Sequence, residues 1–230
     1  LDPADVRGLL GLLLADGNLV PYRSPGGGFV QLTLTAGVSE SAFLEEKVAE
    51  FRQFLPTKAE IVPYGCTLRD NGKRTLALRF RVSSAKLFPI YNLLYPGRQR
   101  SITSTALEML GAQAAAWLWS EGARLSKDGS AQLARVGGSQ QEAELVRDWL
   151  VMLTGARSEV SLALVRPRLA FPAEQCSKIR QALKPYAPIT RQHLFQEGIW
   201  DVSAFRSART ELQRRLRDAC TEGREEAAMA

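Results

Sequence analysis

Soft metal ligands are scarce in this chain of 230 residues: one histidine, His193, and three cysteines, Cys66, Cys176 and Cys220. The cysteines are odd in number and share no metal-ligand spacing, so neither a disulfide framework nor a zinc site is indicated. A single histidine argues against a histidine-ligated metal centre and against a Ser-His-Asp arrangement. More often, a lone histidine is a surface or packing residue. No apolar run reaches the 18 or more residues of a membrane span, and the opening residues carry no signal-peptide pattern. The first residue is Leu1 rather than methionine, so a trimmed leader stays open. The expected location is the cytoplasm or nucleoid for a bacterial host, with an organelle left open. Acid is locally scarce as well. From Cys66 to Arg100 there are eight lysines and arginines (Arg69, Lys73, Arg74, Arg79, Arg81, Lys86, Arg98 and Arg100) against one acid, Asp70.

What is present fits a folded body with a polyanionic partner. Apolar residues make up 45%, enough for one large core or two small ones. The formal charge is +6 and the sequence pI about 9.5, which suits nucleic acid without proving it. The Glu222–Glu226 end leans acidic, so the positive charge belongs to the body.

A short pattern occurs twice, 105 positions apart. It is Leu9-Leu10-Gly11-Leu12-Leu13-Leu14-Ala15-Asp16-Gly17 and Ala114-Ala115-Ala116-Trp117-Leu118-Trp119-Ser120-Glu121-Gly122. Each is an apolar helical run ending in a small residue, a carboxylate and a glycine. At that offset Gly11 matches Ala116, Ala15 matches Ser120, and Asp16 matches Glu121. Small residues four apart would let two helix backbones pack nearly in contact and bring the carboxylates together. Paired carboxylates can hold a divalent metal over a phosphodiester. The plain alternative is a helix stop, since glycine readily takes the left-handed conformation after a last turn. Against that, a carboxylate in the last turn meets the negative end of the helix dipole, at a cost of roughly 0.3–1 kcal/mol. Two such placements favour a site where a cation compensates.

Periodicity predicts helices over 4–16, 41–54, 85–95, 103–121, 139–153 and 173–185. It predicts strands near 18–22, 30–35, 58–69, 75–82, 124–128, 130–136, 157–164 and 166–171. Asp70-Asn71-Gly72 reads as a hairpin turn, and 203–220 as a further helix before a frayed tail. The unit is αββαββα, used twice, in an α+β fold. The expected division is 1–97, 98–195 and a terminal helix and tail, 196–230, with Pro96–Arg100 joining the halves. In Leu76–Val82, Arg79 and Arg81 alternate with apolar residues, so one sheet face packs and the other presents guanidinium groups. Arg166 and Arg168 do the same in the second half, and Gln31, Thr33 and Thr35 form a polar strand face. Such arginines can read guanine edges or neutralise phosphates. The structural alternative is a solvated face.

Together these features resemble the LAGLIDADG homing endonucleases in their single-chain, two-motif form, from about Asp5 to Phe195. Phe88–Tyr95 through Arg100-Ser101-Ile102 is similar to the segment before the second motif, and Leu183-Lys184-Pro185-Tyr186 to a stretch late in the second half. The resemblance implies two pseudo-symmetric halves with motif helices at their interface and antiparallel sheets forming a DNA-binding saddle. It implies a monomer in which Asp16 and Glu121 bind Mg²⁺ and give a double-strand break, with Arg100 near the active site as a transition-state stabiliser. It implies nucleic-acid contacts by Gln31, Thr33, Arg69, Lys73, Arg74, Arg79, Arg81, Arg98, Lys127, Arg135, Arg166 and Arg168, and interface packing by Gly11, Ala15, Ala116 and Ser120. Departures gather in the second half. Ser120-Glu121-Gly122 stands where relatives have Asp-Asp-Gly, and Ala134-Arg135-Val136-Gly137 where they often have Asn-Thr-Gln-Ser. Leu194, with Arg191 and His193 nearby, stands where they have a late lysine. The partner is therefore expected to be double-stranded DNA, with intron RNA bound by a non-cleaving maturase, or DNA bound by a degenerate enzyme, as alternatives.

Overall fold

A computed structural model describes residues 1–25, 27–68, 74–163 and 166–196. The expected hairpin turn at 70–72 and the expected helix at 203–220 lie outside the described residues. So do Arg69 and Lys73, and the side chain of Arg74.

The first half begins with α1 (Pro3–Leu13), whose start is written in Asp2, Pro3 and Asp5: a capping box with proline in the first turn. Then come β1 (Asn18–Ser24), β2 (Gly27–Gly37), α2 (Ser41–Phe54), β3 (Ile61–Leu68), β4 (Arg74–Ser84) and α3 (Phe88–Leu94). The second half holds α4 (Ser104–Glu108), α5 (Ala112–Gly122), β5 (Ala123–Leu125), β6 (Ala131–Leu133), α6 (Gln140–Thr154), β7 (Glu159–Ala163), β8 (Arg166–Phe171) and α7 (Ala173–Leu183). The strands form two antiparallel sheets of the same design, β1-β2-β4-β3 and β5-β6-β8-β7. Two αββαββα-type halves are thus present. Among the described residues no helix is long and apolar enough to cross a membrane.

α1 and α5 pack together at the centre, α1 burying Leu9–Leu13 and α5 burying Ala114–Ser120. The tightest approach is Gly11 on Ala114: a Cβ at Gly11 would lie 2.8 Å from the Ala114 Cβ. Around this pair each sheet sets an aromatic ring edge-on to a helix ring, Phe80 to Phe51 and Phe171 to Trp119, with centroids 5.6 and 5.5 Å apart. The core is continuous across both halves.

Four of the boundaries that differ from the periodicity have a visible cause. α1 stops at Leu13 rather than 16, because the Arg100 guanidinium takes the carbonyls of Leu13 and Leu14. The helix expected over 103–121 breaks at the extended Gly111, where the Leu110 carbonyl accepts from the Trp149 indole at 3.2 Å. The first strand of the second half ends at Leu125, because Asp128 accepts from both the backbone and hydroxyl of Ser130 and closes a turn. The next ends at Leu133, since Arg135 has φ +66° and Gly137 φ +106°, conformations that leave a sheet. The 98–103 linker is fastened by Glu142. It accepts from the backbone N–H of Ile102 at 2.6 Å and also caps α6 through Ser139. Burial pushes the Glu142 carboxyl up, but those N–H donors outweigh it and hold it below the usual range.

Candidate acidic centre and nucleic-acid interface

Asp16 and Glu121 do meet, though not as symmetric equivalents. Asp16 lies three residues past the end of α1, on an irregular turn before the left-handed Gly17 (φ +109°). Glu121 is still inside α5, whose last residue Gly122 presses on the end of β6: a Cβ there would sit 2.4 Å from the Ala134 carbonyl oxygen. Consequently Asp16 is 36% exposed and Glu121 only 4%. Both carboxylates share one guanidinium nitrogen, Arg135 Nη1, at 3.2 Å from Asp16 Oδ1 and 3.5 Å from Glu121 Oε2. The other Glu121 oxygen accepts from the Lys47 ammonium, itself buried on the inner face of α2. Burial pushes the Glu121 carboxyl up, the Lys47 ammonium pulls it back, and the Asp16 charge pushes it up again, leaving it above the ordinary range.

Lys47 and Arg135 are therefore the partners of the acidic pair. Arg135 stood among the expected nucleic-acid contacts, whereas Lys47 was missed. Its signal was available: Lys47 falls between Leu44 and Val48, with Phe51 next, on the buried stripe of α2. A lysine on such a stripe needs a buried anion.

Arg100 lines the cleft beside Asp16 and is also tied to the end of α1. Its guanidinium donates to the carbonyls of Leu13 (2.6 Å), Leu14 (3.1 Å) and Gly17, and to the Tyr95 hydroxyl (3.3 Å). It caps α1 at the negative end of its dipole through Nη1 and Nη2. Ser120 donates to the Ala116 carbonyl at 2.7 Å within α5, and both are buried. Ala15 lies past the end of α1 and is partly buried against the core, while Gly11 makes the close approach within the helix.

The implied Mg²⁺ does not fit these side chains as they stand. A divalent ion on two carboxylates needs their oxygens turned into shared space, and here that space holds the Arg135 guanidinium. Among the described residues no group of three or more His, Cys, Asp or Glu could hold a metal.

A cleft beside the acidic centre is lined by Asp16, Arg100, Arg135, Glu142 and Arg166, among others. The outer face of the first sheet is built by register: Thr33 stands opposite Arg81, Thr35 opposite Arg79, and Gln31 opposite Ser83. Arg81 is exposed. Arg79 lies over the Tyr64 ring, 4.0 Å from its centroid, and its Nε has no hydrogen-bond partner among the described residues. Gln31 donates to Ser83 at 3.3 Å. On the second sheet Arg168 donates to Gln132 at 3.1 Å, beside exposed Arg124. Arg98 and Lys127 are exposed, the former in the linker and the latter in the β5–β6 turn. Arg191 pairs with Glu40 ahead of α2 and lies over the Phe43 ring, so it ties the two halves together.

The sequence matches the model of the LAGLIDADG DNA endonuclease family over residues 7–176. No curated protein matches it. Among solved structures it is similar to the homing endonuclease I-WcaI bound to its DNA recognition sequence. The TM-score there is 0.68 at 12% identity, over 86% of this chain and 88% of that one. It is also matched to the LAGLIDADG meganuclease I-AabMI bound to uncleaved DNA (TM-score 0.48, 10% identity, 84% and 88% covered). A third match is the N-terminal LAGLIDADG domain of DUF199/WhiA (TM-score 0.47, 11% identity, 79% and 81% covered).

Proposed function

The chain belongs to the LAGLIDADG DNA endonuclease family, and from that membership we propose that it binds double-stranded DNA as a monomer across the outer faces of its two sheets. The observation that carries this reading is the β2–β4 register. It places Thr33, Thr35, Arg79 and Arg81 on one exposed face with no acidic residue opposite them in the pairing. Guanidinium groups at that spacing can neutralise phosphates and read base edges in the major groove. In the second sheet Arg124, Arg166 and Arg168 supply a sparser equivalent, with Glu159 nearby on β7. The homing endonuclease I-WcaI, a solved structure of similar fold, is bound to its DNA recognition sequence, which supports DNA as the ligand.

Phosphodiester hydrolysis, the activity for which the family is named, is the second reading. One observation favours it: the two motif carboxylates converge on Arg135, and one of them, Asp16, lines an open cleft. Hydrolysis through a metal would require Arg135 to leave that position, and no step through a metal is derived for the arrangement present.

A randomised duplex library separates the readings. The protein is incubated with it with and without Mg²⁺, and both retained sequences and new ends are sequenced. Enrichment of a common site with no new ends supports binding without cleavage. Mg²⁺-dependent ends that vanish in Asp16→Asn and Glu121→Gln establish the nuclease. Neither enrichment nor cutting would refute the proposal.

A further inference from the structure

The acidic pair is already neutralised by the protein itself. Asp16 and Glu121 bring two negative charges; Arg135 and Lys47 bring two positive ones, all four linked by ion pairs. Lys47 is buried and reaches one oxygen of Glu121, while Arg135 takes the other oxygen and Asp16. Arg135 reaches the enclosed Glu121 from the surface: its side chain is 45% exposed and that of Asp16 36%, against 4% for Glu121. Arg135 sits in the left-handed region, φ +66°, which a residue with a Cβ seldom occupies. From there Nη1 also comes within 3.5 Å of the Ala15 carbonyl, at the irregular turn that carries Asp16. A divalent cation added to this centre would meet a guanidinium between the carboxylates and an ammonium behind one of them. It would bring the local charge from zero to +2 next to a buried group.

We propose that Arg135, backed by Lys47, is a resident counter-ion that occupies the divalent-cation position between the ends of the two motif segments. In this assignment the acidic pair serves as a structural clasp between α5, the Asp16 turn and the loop after β6, and Arg135 excludes metal from it. The inference rests on reading Asp16 and Glu121 as the family's acidic pair, and it adds what occupies the space between them.

The test is metal binding by the full chain without DNA. Mn²⁺ is titrated into wild type, Arg135→Gln and Arg135→Gly, and bound ion is followed by calorimetry and by loss of the free-ion paramagnetic signal. Glycine suits the left-handed backbone, so the second variant keeps the fold even if glutamine strains the loop; thermal melts of all three proteins confirm folding. Wild type should show no saturable Mn²⁺ site, or one at least about tenfold weaker than in the variants, and both variants should bind saturably at Asp16 once the guanidinium charge is gone. The gained site should vanish when Asp16→Asn is added. A saturable Mn²⁺ site in wild type as tight as in the variants would overturn the proposal, and so would folded variants that gain nothing. DNA affinity measured on the same samples keeps the two readings apart. Failure of wild type to bind duplex DNA would remove the proposed function and leave the metal result standing.

Discussion

Gly11→Ala sets two effects of known sign against each other at the crossing of α1 and α5. In a free helix the change is favourable, since alanine is preferred over glycine by about 1 kcal/mol in a helix interior. Here the added methyl would lie 2.8 Å from the Ala114 Cβ, 3.4 Å from its Cα and 3.5 Å from a Leu110 methyl. The nearest atom is fixed to the α5 backbone and cannot rotate away, so one helix must shift. Overpacking of a filled core costs typically about 1–3 kcal/mol, which exceeds the propensity gain over most of that range. The expected net is a loss of about 1 kcal/mol, read as a Tm lower by about 2–4 °C in a chain of this size. The double variant isolates the contact. Ala114→Gly removes the opposing methyl, so Gly11→Ala should be stabilising in that background, and the cycle should show a coupling of about 1–3 kcal/mol. Thermal unfolding by circular dichroism, checked calorimetrically, is the assay. A Tm that rises by the propensity increment in both backgrounds, with no coupling, would refute the close packing of the two helices.

Removing one partner of the buried ion pair should be severe. Lys47→Met leaves the enclosed Glu121 with only the longer Arg135 contact, an expected loss of about 3–5 kcal/mol, whereas Lys47→Met with Glu121→Leu should recover most of it in chemical denaturation. Arg100→Met should cost about 2–3 kcal/mol by leaving the Leu13, Leu14 and Gly17 carbonyls short of a charged donor. An unchanged denaturation midpoint there would mean the guanidinium is not the cap. Burial, and then the Arg191 charge, lower His193 to about 4 from its ordinary 6.5. The unfolded chain therefore binds a proton that the folded one refuses. Stability contributed at neutral pH should fall as pH drops from 6.5 toward 4, and His193→Gln should flatten that part of the pH–stability profile.

Most of the fold was legible because its signals are local. The α2 boundaries, Ser41–Phe54, and the Leu76–Val82 alternation follow from apolar period alone. The capping residues Asp2 and Ser139 mark the starts of α1 and α6. What could not be read locally is what distant residues impose. α1 ends three residues early because Arg100, far along the chain, takes its last carbonyls. Arg135 gave no sign of standing between Asp16 and Glu121, because its direction is set by a left-handed turn that period-two counting passes over. Lys47 was the readable exception, a cation on an apolar stripe, and it points to a buried anion without saying which. The repeat located both carboxylates correctly but implied an equivalence that the helix ends do not keep, Asp16 half-exposed and Glu121 enclosed.

The basic outer face of the first sheet is tested most directly by a salt titration of binding to duplex DNA, with a structured intron RNA alongside. Wild type is compared with the Arg79→Ala/Arg81→Ala variant, whose core residues Leu78 and Phe80 are untouched. If both arginines contact phosphates, the slope of log K against log salt should fall by about 1.8, from roughly 0.9 per contact. If one reads a guanine, a smaller change should accompany discrimination weakened by about 1–3 kcal/mol at one base position. Duplex DNA affinity with unaltered slope and specificity in the variant would contradict the proposed binding face, and a loss confined to the RNA would contradict DNA as the ligand.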